Sequence, residues 1–220
     1  MGPLDHWAAS QQSLGALGRE LTDAEAELVV PACPDWTVRE VFAHQAGVAA
    51  DILGGRLDGV ATDPWTERQV AERADRSLTE ILDEWAADTP RLIEAMAPFG
   101  DDIDPRMIID LWTHDHDVRA AVGRAGGRDD ATAAWVADRL QADAERRFAK
   151  AGLTPTAVVF AEDDTAVALV VDPFEFCRAR VGRRSPDQVR AWAWMVDDPE
   201  PYVALVPVFP PRATDLVEPG

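Results

Sequence analysis

The feature that most constrains this chain is the alternation of helix-start and helix-stop signals between its N-terminus and Gly123. Thr37 followed by Glu40, and Ser77 followed by Glu80, have capping-box spacing, in which two side chains satisfy backbone N–H groups that a helix start leaves unpaired. Asp104 with Pro105 marks a third start, because proline at the first helical position gives up only an N–H the helix does not use. Pro31 with Pro34, Gly54 with Gly55, and Gly123 are the matching stops. These marks predict four helices. The first runs from Leu4 to about Val30 and the second from Thr37 to Gly54. The third is reached through a polar connection, Asp58 to Pro64, and has its main part from Ser77, with Pro90 expected to kink or interrupt it. The fourth runs from Asp104 to Val122. Each carries apolar residues at helical spacing, so the four predict an up-and-down bundle.

After the loop from Gly123 to Asp130 the pattern changes. One further helix is predicted to about Lys150, followed by two β-branched runs, Thr156 to Ala161 and Ala166 to Val171. Glu162 to Thr165 separates them, which predicts a hairpin. Pro173 to Val181 reads as a short helix, Ser185-Pro186 starts another through Trp194, and the proline-rich end from Pro207 reads as an extended tail. The fold class is mainly α with a small α+β part: a four-helix bundle over 1–125 and a small α+β domain over 126–220.

Charge narrows the function. Forty acidic residues against 21 basic ones give a formal charge of −19, a surface that repels phosphate backbones and anionic headgroups. Nucleic acid and membranes are therefore excluded as expected partners. No stretch has the length of apolar sequence needed to span a bilayer, and Met1 to Ser10 lacks the order of a secretory signal. Cys33 and Cys177 stand far apart, so reduced thiols in the cytosol are expected.

The fourth helix carries the chemistry. On a wheel of about 100° per residue with Met107 at zero, Leu111, Val118 and Val122 share a core-facing arc with it, His114 falls at about 340° and Asp110 at about 300°. Residues at i and i+4 stack one turn apart, so Asp110 and His114 can converge on one inward point. His116 falls near 180° and is expected in solvent. His44 flanks the apolar face of Val41, Phe42, Val48, Ile52 and Leu53 on the second helix and can supply a third ligand. Two imidazoles and a carboxylate fit an open zinc site, which can also bind and deprotonate a thiol. The same spacing fits two core histidines whose tautomer a nearby carboxylate fixes.

Other residues carry weaker signals. His6 lies in a terminal turn expected to fray. Cys33 reads as a half-buried small apolar residue, since no histidine adjoins it in sequence. Trp192 and Trp194 read as packing for the last helix. Arg183 and Arg184 form a cationic spot before a helix, suited either to a carboxylate-bearing ligand or to surface ion pairs.

The stretch Pro31-Ala32-Cys33-Pro34-Asp35-Trp36-Thr37-Val38-Arg39-Glu40-Val41-Phe42-Ala43-His44 resembles a segment of the mycothiol-dependent maleylpyruvate isomerase family, within the wider DinB-like bundles. Asp110 to Arg119 resembles that family's second metal segment, and Asp172 to Phe176 with Gly182 to Ser185 resembles its C-terminal domain. The resemblance implies that His44, Asp110 and His114 bind a divalent metal, taken as zinc. Aspartate at 110 stands where catalytic members carry glutamate. It further implies a cytoplasmic S-transferase or isomerase that activates mycothiol or a similar thiol toward a small electrophile. Arg183 or Arg184 would hold a carboxylate, and the protein would act as a monomer or homodimer. The competing expectation is a metal- or ligand-binding protein without turnover.

Overall fold

A computed structural model describes residues 1–153, 158–159 and 169–218. The chain is mainly helical with a small sheet, and it separates into two compact units, Met1–Gly126 and Gly127–Glu218. Among the described residues, no helix is long and apolar enough to cross a membrane.

In the first unit α1 (Pro3–Glu20), α3 (Val38–Gly54), α5 (Leu78–Met96) and α6 (Pro105–Val122) form a four-helix bundle. Helix α1 packs on α5 and α6, and α3 packs on the same two, so the connections from α1 to α3 and from α5 to α6 cross the ring. Each crossing carries an inserted element: α2 (Asp23–Ala26) in the first and a 3-10 turn (Ala97–Asp102) in the second.

The expected long first helix is split. Thr22 and Glu25 close a capping box of their own, which ends α1 and starts α2. The expected third helix is two, α4 (Asp63–Ala71) and then α5. Pro90 does not end α5, which runs on to Met96. A single proline removes one bond of the ladder, whereas Ile81, Leu82, Trp85 and Leu92 hold both sides of it against the core. The Thr37–Glu40 and Ser77–Glu80 boxes form as the spacing predicts, and Gly55 and Gly123 take the left-handed conformation that closes α3 and α6.

In the second unit Asp130 caps α7 (Ala131–Lys150), which packs on α8 (Pro173–Arg180). Among the described residues, three short strands follow the order β1 (Val158–Val159), β2 (Leu169–Val170) and β3 (Ala193–Trp194). The expected hairpin is corrected: β1 and β2 are neighbours but run parallel, with Val158 opposite Leu169. Its turn residues, Glu162 to Thr165, lie outside the described residues. The antiparallel partner of β2 is β3, which takes up Trp194; the helix expected through Trp194 ends at Arg190 as α9 (Pro186–Arg190). Trp192 stacks on Trp194, and Trp194 in turn meets Tyr202 of α10 (Glu200–Val203). The chain from Pro207 is extended and pinned, with Val208 N–H donating to Arg180 O and Leu216 N–H to Gln188 Oε1.

Candidate metal centre

Two caps aim the site. The Thr37 box starts α3 so that His44 comes inward, and Asp104 starts α6 so that Asp110 and His114 face it one turn apart. Donor atoms of the three residues all lie within 4.8 Å of one another. His44 Nε2 stands 3.3 Å from Asp110 Oδ2, and His114 Nε2 stands 3.6 Å from Asp110 Oδ1. Donors held about 2.0–2.2 Å from one tetrahedral ion are separated by roughly 3.3–3.6 Å, so these spacings suit a shared cation. The imidazoles are almost wholly buried, while the Asp110 side chain is 40% exposed and forms the open edge.

The surroundings decide which nitrogen of His44 is available. Gln69 on α4 donates through Nε2 to Asp51 Oδ2 at 2.8 Å, so its Oε1 is the atom that faces His44 Nδ1, also at 2.8 Å. An oxygen there accepts, so Nδ1 carries the proton and the lone pair of Nε2 points at Asp110. Asp51 is fully buried and is held in turn by Arg68 at 3.0 Å and Arg56 at 2.6 Å. Gly47 on α3 makes this approach possible, since a Cβ there would stand 2.4 Å from Gln69 Cβ. With a lone pair on Nε2 and a carboxylate oxygen facing it at 3.3 Å, a proton or a cation has to lie between them.

Gln45 Nε2 donates to Asp110 Oδ2 at 2.8 Å and fixes the carboxylate. Burial raises the affinity of Asp110 for its proton. With a proton between His44 Nε2 and the carboxylate, positive charge on the two imidazoles and the hydrogen bonds from His44 and Gln45 outweigh this and hold the carboxyl well below the usual carboxylate range. The indole of Trp36 lies over both imidazoles, with ring centroids 5.2 Å from His44 and 5.8 Å from His114. It belongs to a short loop closed by Val30 N–H to Trp36 O at 2.9 Å and Trp36 N–H to Cys33 O at 3.0 Å.

Several expectations change. His116 is buried rather than solvated, edge-on to Trp112 at 4.6 Å, because the middle of α6 from Leu111 to Val118 is covered on every side. Among the described residues it joins no donor group, in keeping with its opposite direction on the helix. His6 is likewise buried, because Pro3 and Trp7 seat the first turn of α1 in the core. Cys33 is half-buried as expected, but the fold brings His114 and Asp117 to it, with donor atoms within 4.8 Å. Sequence spacing carried no signal for that meeting, nor for Gln69 and Asp51, which belong to different helices.

In the second unit, Arg184 is buried and not part of a surface spot. It donates to both oxygens of Glu175, at 2.6 and 2.7 Å, and to Glu218 at 2.9 Å. Arg183 is half-buried and donates to Val181 O at 2.9 Å.

The family described as the mycothiol maleylpyruvate isomerase N-terminal domain matches residues 7–119, which take in every donor of the centre and Trp36. No curated protein and no solved structure matches the chain.

Proposed function

Because the chain belongs to the mycothiol maleylpyruvate isomerase N-terminal domain family, we propose that it holds a divalent cation, with zinc the first to test, on His44, Asp110 and His114 and acts with a mycothiol-type thiol on a small electrophile. The observation that carries this reading is the 2.8 Å contact of His44 Nδ1 with Gln69 Oε1, which turns the Nε2 edge of the ring toward a carboxylate and a second imidazole. A cation bound there supplies the positive charge that keeps a thiol as reactive thiolate. The chain's own residues do the rest. Gln69 and Gln45 orient two of the ligands, Trp36 keeps water off the imidazole faces, and the exposed edge of Asp110 leaves a thiol its approach. Addition of the thiolate to a double bond, rotation and elimination would isomerise a substrate; displacement of a leaving group would transfer the sulfur.

Arg183 and Arg184 enter as anchors for a carboxylate of substrate or cosubstrate. Arg184 would have to leave Glu175 and Glu218 to do so, which makes Arg183 the first to test: Arg183→Ala should raise KM more than it lowers kcat. A low-molecular-weight thiol as cosubstrate would fit a reaction in the cytosol.

A second reading, a cation or small-ligand binder without turnover, is favoured by Asp110 itself. Its side chain is one methylene shorter than glutamate, and its Oδ2 already accepts from Gln45. Metal content of protein purified without an affinity tag tests the site: about one divalent ion per chain is expected in the wild type and almost none in His114→Ala. Mass spectrometry of mycothiol mixed with an electrophile panel then separates the readings. Thioether or isomerised product that depends on His44 supports the enzyme, and product formation unchanged in His44→Ala excludes it.

A further inference from the structure

The proposed centre uses only one edge of His114. Its other nitrogen, Nδ1, is buried and lies 3.1 Å from Asp117 Oδ2, yet it makes no hydrogen bond there or elsewhere. At that distance a hydrogen bond fails only when the proton does not point at the acceptor. Two donors on one small cation behave differently: each lone pair points at the ion, and the donors themselves stand roughly 3.3–3.6 Å apart, so closing on an ion would open the 3.1 Å spacing by a few tenths of an ångström. Cys33 completes the arrangement, because its Sγ lies within 4.8 Å of donor atoms of both His114 and Asp117.

We propose that Cys33, His114 and Asp117 form a second cation position, on the side of the His114 ring away from Asp110. The donor set is a thiol, an imidazole and a carboxylate, which selects borderline or soft divalent cations such as zinc and cadmium over magnesium and calcium. Three features prepare it. Asp117 is fully buried one turn along α6, where its carboxylate cannot swing away. Cys33 is held by its loop, its N–H donating to Val30 O at 3.1 Å and its carbonyl accepting from Trp36. Half-exposure of Cys33 gives an ion a way in. Filling the position releases the thiol proton of Cys33 to solvent and leaves His114 Nδ1 without a proton. If both positions were filled, the ring would serve them as imidazolate, the single N–H proton of the neutral imidazole having passed to solvent.

The position shares His114 with the centre proposed above but needs neither His44 nor Asp110, so the two stand or fall separately. The test is a cadmium titration of chelator-treated full-length protein in a Cys177→Ser background, followed by the near-ultraviolet charge-transfer absorbance of a cadmium–thiolate bond. The band is expected in this protein and in its His44→Ala variant, and is expected to vanish in Cys33→Ser. Asp117→Asn should retain the band with an affinity lower by about tenfold or more. Absence of the band from the parent protein, its survival in Cys33→Ser, or an affinity unchanged by Asp117→Asn overturns the proposal. Loss of the band in His44→Ala overturns it as well, since Cys33 would then be a ligand of the first position. Circular dichroism of each variant confirms that the bundle has formed before its band is read.

Discussion

Both units of this protein bury charged side chains, and one cluster in each is balanced in an opposite way. In the second unit Arg178, Arg180 and Arg184 are buried against Glu218, Asp143 and Glu175. Each of these three carboxylates meets a guanidinium. For Arg184, burial lowers the affinity for the proton, but the bonds to Glu175 and the attraction of Glu218 more than restore it. For Arg180 burial wins despite Asp143, and its pKa falls to about 10. In the first unit the facing groups at His44, Asp110 and His114 are all lone-pair donors toward one point. A buried cluster that closes on itself holds a fold together. One that closes only when a cation is added holds a ligand.

The contrast can be broken most sharply at Glu218. Glu218→Ala takes the Glu218 carboxylate from buried Arg178 and leaves Arg184 with Glu175 alone as its carboxylate partner, and removing one partner of a buried pair costs about 3–5 kcal/mol. Denaturant unfolding should show that loss, while cation binding to the first unit is unchanged.

In a Cys33→Ser background, which removes the thiol of the second proposed position, His44→Ala should do the reverse. It leaves the stability of the cation-free protein much closer to wild type, but abolishes the stabilisation by added zinc, which for the wild type is about 2.7 kcal/mol at a hundredfold excess over Kd. Thermal melts with and without zinc give both numbers. A melt of the His44→Ala, Cys33→Ser double variant that still rises with zinc would mean that the donors do not close around an ion.

Gln69→Leu tests whether the lone pair is fixed from behind. It removes the acceptor for His44 Nδ1 and one donor to Asp51, and should weaken zinc binding by about 10–100-fold in competition with a chelating dye. Affinity within threefold of wild type would show that the ring needs no such support.

The smallest effect is expected at Cys177, inside the closed unit. Burial pushes its thiol up to about 12 from an ordinary 9.0, against the attraction of Arg178 and Arg180. The folded state therefore keeps a proton that the unfolded chain loses. This costs nothing below the ordinary thiol value and destabilises progressively as pH rises from there toward 12. Iodoacetamide at pH 8 should label Cys33 in the native protein and reach Cys177 only after unfolding.

Much of the bundle was legible because its signals are local. A capping box needs two residues three apart, and both predicted boxes formed, as did the glycine stops. The i,i+4 placement of Asp110 and His114 is equally local. What stayed hidden depends on neighbours from elsewhere in the chain. Thr22 and Glu25 were readable as a cap, but the apolar spacing of the first helix runs past them. The burial of His116 depends on what covers the far side of α6, and the wheel reports only direction. Periodicity distinguishes a strand but not the direction of its partner, so β1 and β2 were expected antiparallel. Gln69 and Cys33 lacked any sequence signal, because what matters about each is a contact with a distant residue.

The crossed connections of the bundle also set an order of events. Helix α6 completes the ring beside α1 and α3, and it brings two of the three donors with it. A chain emerging from the ribosome therefore presents His44 as a solitary imidazole until the last helix of the bundle has been made, and solitary imidazoles hold divalent ions poorly. Loading of the proposed centre would then follow assembly, and ions met along the way would have no complete donor set with which to lock the nascent bundle into a wrong pairing.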